Sequence, residues 1–142
     1  MKVNQIMHTG VEWVSPETSV IAIAKIMRDN DIGAVPVGEN DRLVGMVTDR
    51  DIVCRAIAEN RDLAKSHVRD VMTKNVIYCY ADEEVEDAIH LMEQKQVRRL
   101  PVINKSKRMV GMISLGDISH RMGHQLTGEL TEAVSAHHGG LL

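Results

Sequence analysis

The chain has 142 residues, 44% of them hydrophobic, and carries a formal charge of −3. That is enough apolar material for a globular domain rather than a disordered tail, and the slight acidity gives no general attraction to nucleic acid or an anionic membrane. No apolar run approaches membrane-spanning length, the N-terminus lacks a signal-peptide core, and Cys54 and Cys79 stand apart rather than in metal-type spacing, so a cytoplasmic protein with reduced thiols is expected.

In chain order, residues 11–14 read as a short extended segment. Val20, Ile23, Ala24 and Met27 then recur at the spacing of one helix face, with Thr18 placed as its N-cap. Two strands follow at 34–37 and 43–48, joined by the turn-rich Gly38-Glu39-Asn40-Asp41. A second helix starts near Arg50, and the polar stretch 59–66 reads as a linker. The order then begins again. Residues 76–79 are extended, and Val85, Ala88, Ile89 and Met92 mark a helix face with Asp82 as cap. Strands at 100–103 and 109–114 flank Asn104-Lys105-Ser106-Lys107, and a helix starts near Gly116. Beyond residue 122 a short helix is expected, with Thr127 as its cap and Leu130, Ala133 and Val134 as its face, ending at Gly139-Gly140.

The second half therefore repeats the first. At an offset of 65, Val3, Met7, Val11, Val20, Met27, Pro36 and Val37 meet Val68, Met72, Val76, Val85, Met92, Pro101 and Val102. One extra residue in the second turn moves the offset to 66, and Val44, Gly45, Met46, Asp51 and Ile52 meet Val110, Gly111, Met112, Asp117 and Ile118. The unit is β-α-β-β-α. A unit of this size is marginal alone, so the fold expected is α/β, two pseudo-symmetric repeats (3–58 and 68–122) packed sheet to sheet around one core, with a short C-terminal helix and tail at 123–142.

The repeat places chemistry at Thr48-x-x-Asp51 and Ser114-x-x-Asp117. Hydroxyl and acid at this spacing close a strand and cap a helix, and a duplicated fold duplicates its caps. A ligand is the other reading. A carboxylate at this place repels a bare phosphate but accepts hydrogen bonds from the two hydroxyls of a ribose, as an acidic residue does in dinucleotide sites. A phosphate beside it requires cations, and Arg98-Arg99 stands just before the second-half strand, with Arg50 the corresponding residue near the first motif. Ribose at one end and phosphate at the other describe a nucleotide.

Gly45-Met46-Val47-Thr48-Asp49-Arg50-Asp51, Gly111-Met112-Ile113-Ser114-Leu115-Gly116-Asp117, and the preceding Gly33-Ala34-Val35-Pro36-Val37 and Arg99-Leu100-Pro101-Val102 make the halves resemble a tandem pair of CBS domains, the family named after cystathionine β-synthase. The resemblance covers about residues 3–122. It implies a regulatory Bateman module that is not an enzyme and needs no catalytic cofactor. Such a module binds AMP, ATP or NAD(H) in clefts between the halves, forms homodimers and serves energy sensing, here through an unidentified regulated protein or its own oligomeric state. Carried over to this sequence, the family pattern puts Ser114 and Asp117 on the ribose of one cleft, with Arg98 and Arg99 at the phosphate and Val11, Glu12, Ile32 and Gly33 at the adenine. The other cleft takes Thr48, Asp51 and Arg50, with Val76, Ile77 and Val97 as walls. The first half has Gly33-Ala34 where the second has Arg98-Arg99, so the Ser114/Asp117 site ranks first, and Glu12 is an unexpected adenine wall. The alternative is a dimeric interaction module with no physiological ligand.

Two further features invite chemistry. His120 and His124, with Asp117 one turn earlier, are a candidate metal face, but Gly123 weakens that helix and no third imidazole has fixed spacing, so no metal is assigned. No Gly-rich phosphate loop, nucleophile elbow or paired acid and base is present in the sequence. Trp13 and Tyr78 occupy equivalent places, at a cleft border or a dimer face.

Overall fold

The computed structural model describes residues 1–121. The expected C-terminal helix, with His124, lies outside them. The chain divides into two compact units, one formed by Met1–Val11 together with residues from Ile77 onward, the other by Glu12–Val76.

In the Glu12–Val76 unit, helix α1 (Val20–Asn30) buries Val20, Ile23 and Met27. Its cap is Ser19 rather than Thr18: the Ser19 side chain accepts from the Ala22 amide at 3.0 Å, while the Thr18 carbonyl accepts from the Val68 amide at 2.7 Å. Strands β1 (Ala34–Glu39) and β2 (Arg42–Thr48) form an antiparallel hairpin. Asn40 and Asp41 both have positive φ, 55° and 61°, the two-residue turn whose twist matches the flanking strands, so the strands run further into the expected turn. The strand expected at 11–14 reduces to one parallel bridge, Val14 to Val37. The reason lies in β1: the next ladder bond toward residue 12 needs the amide hydrogen of position 36, which is proline. After β2, a single helical turn α2 (Asp49–Asp51) continues in π geometry over Ile52–Ile57, and α3 (Val68–Val71) follows.

The other unit repeats this plan. Strand β3 (Cys79–Tyr80) lies parallel to β4 (Arg99–Ile103), which is antiparallel to β5 (Met109–Ser114). Pro101 stops β3 as Pro36 stops its counterpart, which shortens the strand expected from residue 76. Helix α4 (Val85–Lys95) buries Val85, Ala88, Ile89 and Met92. Its cap position is Glu84 rather than Asp82, and the Glu84 carboxylate instead holds the Met1 amino group at 3.3 Å and Lys2 Nζ at 2.8 Å. The hydrogen bond from Lys2, and after it that from the Met1 amino group, hold the Glu84 carboxyl below its ordinary value. Helix α5 (Leu115–Arg121) closes the described chain.

The repeat holds at the level of single hydrogen-bonded pairs. Val14↔Val37, Met46↔Thr73 and Ser19↔His67 are matched by Cys79↔Val102, Met112↔His8 and Glu84↔Lys2. Both first helices end on a left-handed residue, Asp31 and Gln96. The segments that lead each repeat are exchanged between units: the 3-10 turn Val3–Gln5 packs in the unit built from residue 77 onward, and α3 packs in the Glu12–Val76 unit. Buried side chains form two clusters, one per unit, rather than the single core expected. One holds Ile23, Val35, Val37, Val47 and Val71, the other Val3, Ile89, Leu100, Val102, Ile113 and Ile118. Truncating a buried Ile such as Ile113 to Ala costs about 2–5 kcal/mol.

Candidate functional site

Strand β5 delivers Ser114 to the start of α5, and Asp117 folds back onto it. The Ser114 amide donates to Asp117 Oδ2 at 2.8 Å and its hydroxyl donates to the same oxygen at 2.9 Å, while the Asp117 amide donates to Ser114 Oγ at 3.2 Å. Thr48 and Asp51 make the reciprocal box at the end of β2: Thr48 amide to Asp51 Oδ2, 3.0 Å, and Asp51 amide to Thr48 Oγ1, 3.0 Å. Both motifs therefore cap the helical turn that follows them.

The glycines that open the motifs have a separate task. A Cβ on Gly111 would stand 2.5 Å from the His8 carbonyl oxygen, and one on Gly45 2.9 Å from that of Thr73. Each glycine lets the crossing segment press onto the strand. Arg55 and Arg121, also repeat equivalents, reach back to that segment: Arg55 Nη1 donates to the carbonyls of Val71 and Met72 at 3.1 Å, and Arg121 Nη2 to that of Gln5 at 3.5 Å.

Arginine placement follows strand register. Arg99 is the β4 partner of Ser114, and the Arg98 carbonyl accepts from the Leu115 amide at 2.8 Å. Both arginines are exposed, so the backbone of one unit sets two arginine positions beside the hydroxyl and the carboxylate. In the other unit the same positions hold Ala34, paired with Thr48, and Gly33, whose carbonyl accepts from the Asp49 amide at 2.9 Å. Asp49 brings a carboxylate there: its Oδ2 lies 3.0 Å from where a Gly33 Cβ would be. Arg50 is exposed on α2.

Of the expected adenine walls, Val11, Ile77 and Val97 belong to the unit of Ser114, and Glu12, Ile32, Gly33 and Val76 to the unit of Thr48. Ile77 and Val97 pack against the core of their unit, whereas Ile32 is 40% exposed and Glu12 is exposed. Trp13 covers Gly38, where a Cβ would run into its ring, so this side chain packs on β1. Tyr78 stacks edge-on against Tyr80 at 5.7 Å.

One residue beside the motif is not singled out by the sequence. His8 Nε2 lies 2.5 Å from Asp117 Oδ1, and the Asp117 side chain is only 7% exposed. The repeat offset aligns His8 with Thr73, a difference visible in the sequence, but its contact depends on residues 1–11 folding onto β5. Among the described residues, no three His, Cys, Asp or Glu side chains converge as a metal site, and no helix is long and apolar enough to cross a membrane.

Comparison with known proteins agrees with this architecture. The family model for the CBS domain matches residues 3–56 and 68–124. Hypoxic response protein 1 of Mycobacterium tuberculosis is 35% identical over 130 residues, 91% of this chain and 90% of that protein. The CBS domain-containing protein YhcV of Bacillus subtilis is 36% identical over 134 residues, 94% of each. Among solved structures, Hypoxic Response Protein I with two coordinated zinc ions superposes with a TM-score of 0.78 at 36% identity, covering 86% of this chain and 99% of that one. CBSX2 in complex with AMP gives 0.74 at 25% identity, covering 84% and 93%. The CBS pair of MJ0100 in complex with 5′-methylthioadenosine and S-adenosyl-L-methionine gives 0.75 at 29%, covering 87% and 100%.

Proposed function

The chain belongs to the CBS-domain family, and on that premise we propose that it is a non-catalytic regulatory module whose ligand is an adenosine nucleotide: AMP, ATP or NAD(H). The observation that carries this reading is the convergence of Ser114, Asp117, Arg98 and Arg99 within one unit. The Asp117 carboxylate takes the ribose hydroxyls, and the exposed guanidinium groups take the phosphate in charge-assisted, forked hydrogen bonds. CBS pairs of the same fold have been crystallised with AMP and with methylthioadenosine and S-adenosylmethionine. The adenosine moiety is common to all three. Of these, AMP alone carries the phosphate that the arginine pair favours.

The second site, at Thr48 and Asp51 with Arg50, offers the same carboxylate and a weaker cation field. Binding acts through differential affinity for two arrangements of the protein, read out by a regulated partner or by the chain's own homodimer in the cytoplasm.

The reading of a ligand-free interaction module draws on one fact: every Asp117 contact described is satisfied within the protein, by Ser114 and His8. Calorimetric titration with AMP, ATP, NADH and S-adenosylmethionine separates the two. Saturable heat with at least one phosphate-bearing adenylate, lost in Asp117→Ala, supports the sensor. Silence with all four leaves the interaction module.

A further inference from the structure

Resting on the ribose reading of Asp117, we propose that His8 is an intramolecular competitor for that carboxylate and sets the affinity of the Ser114/Asp117 site for ribosides. The carboxylate has two oxygens to offer a vicinal diol. Oδ2 already accepts from the Ser114 amide and hydroxyl, and Oδ1 faces His8 Nε2 at 2.5 Å. A diol cannot reach Oδ1 until the imidazole leaves.

The imidazole can leave without disturbing the fold. The His8 backbone is pinned to Met112 by a pair of bonds, amide to carbonyl at 2.8 Å and back at 3.0 Å. Its side chain, in contrast, is 72% exposed, against 7% for Asp117. Rotation about the side-chain bonds exchanges a charge-assisted contact for a ligand hydroxyl. Part of the intrinsic affinity is thereby spent on displacement, as for any site whose competent state is partly populated.

The chain contains its own control. In the other unit the same backbone bridge is made by Thr73 to Met46, at 2.9 and 2.8 Å, and the side chain at that place accepts from Arg55 Nη1 at 3.4 Å. Among the described residues, the cation facing Asp51 Oδ1 is Arg55 at 3.9 Å, beyond hydrogen-bond reach. An imidazole sits on one carboxylate and not on the other, and the difference is a single residue outside the motif.

The test is calorimetric titration of adenosine and of 2′-deoxyadenosine into the wild-type chain and into His8→Thr, the residue its own repeat carries there. The variant is expected to bind adenosine about tenfold more tightly, the worth of one charge-assisted contact, with a smaller gain for the deoxynucleoside. Equal adenosine affinities overturn the inference and leave the adenosine reading standing, while failure of both proteins to bind either nucleoside overturns the inference and, when AMP is silent as well, the adenosine reading with it. The wild-type protein alone gives a second reading: adenosine should shift the His8 ring-nitrogen resonances as the imidazole leaves Asp117, and resonances unmoved at saturation contradict the proposal.

Discussion

The two motif-bearing corners of this protein share a backbone and differ in what surrounds the carboxylate. At Ser114/Asp117 the neighbours are a pair of exposed arginines and an imidazole seated on Oδ1. At Thr48/Asp51 they are Gly33, Ala34 and the acidic Asp49, with Oδ1 left to a distant guanidinium. On the proposed reading, the first corner has the stronger cation field for a phosphate but an imidazole on its aspartate, while the second has Arg50 alone and no imidazole there. Duplication fixes the backbone of the two corners, and residues outside the duplicated motif make their surroundings differ.

The sharpest way to break this comparison is to remove one carboxylate at a time. Asp117→Asn keeps an oxygen for the cap but loses the charge. It should weaken AMP binding by about a hundredfold or more, two charge-assisted hydrogen bonds at about 1.5–3 kcal/mol each, while thermal stability falls by about 1 kcal/mol, the worth of a cap. Asp51→Asn should leave that AMP affinity in place. A loss of stability without a loss of binding would show the motif to be a cap alone.

Next in size is the phosphate. Arg99→Ala should weaken AMP by about tenfold and leave adenosine unchanged, since one charge-assisted contact is lost only when the phosphate is present. Parallel titrations of the two ligands check this, and equal losses would contradict the assignment.

The strand glycines sharpen the comparison through stability. Gly111→Ala drives a Cβ to 2.5 Å from the His8 carbonyl and Gly45→Ala to 2.9 Å from that of Thr73. Overpacking against backbone costs about 1–3 kcal/mol, so both should lower the unfolding midpoint, Gly111→Ala more. The reverse order in thermal unfolding would count against the close-approach account.

The smallest effect lies in the cysteines, one in each unit. Cys54 is exposed and Cys79 buried. Burial, with the charge of Glu83 adding to it, pushes the Cys79 thiol from 9.0 up to about 12. Below pH 9 that thiol is protonated in both folded and unfolded chains and contributes no pH dependence. Between 9 and 12 the unfolded chain ionises while the folded one keeps its proton, so stability declines as pH rises through that window. A thiol reagent at neutral pH should label Cys54 in the native protein and reach Cys79 only after unfolding; immediate labelling of both would oppose this.

Much of this was legible in the sequence, because a repeat reports itself. Met109–Ser114 falls where alternation places it, and Val20, Ile23 and Met27 form the buried face that their spacing announces. What periodicity could not report was non-local. Pro36 and Pro101 cut short the strands expected at 11–14 and 76–79 by withholding a donor to a segment far away in sequence. Ser19 took the cap because the Thr18 carbonyl is engaged by Val68, 50 residues on. The motif residues and Arg99 were legible as neighbours, since hairpin register follows from local pattern. His8 was not, because its place beside Asp117 depends on a leading segment packing in the unit built from residue 77 onward.

The claim on which the account rests is that the aspartate holds the sugar. A crystal structure of the protein grown with AMP tests it directly. Both ribose hydroxyls should lie within about 3.2 Å of Asp117 oxygens, with the phosphate against Arg98 and Arg99 and His8 turned away. AMP seated elsewhere, with Asp117 still bonded to Ser114 and His8 alone, would contradict it.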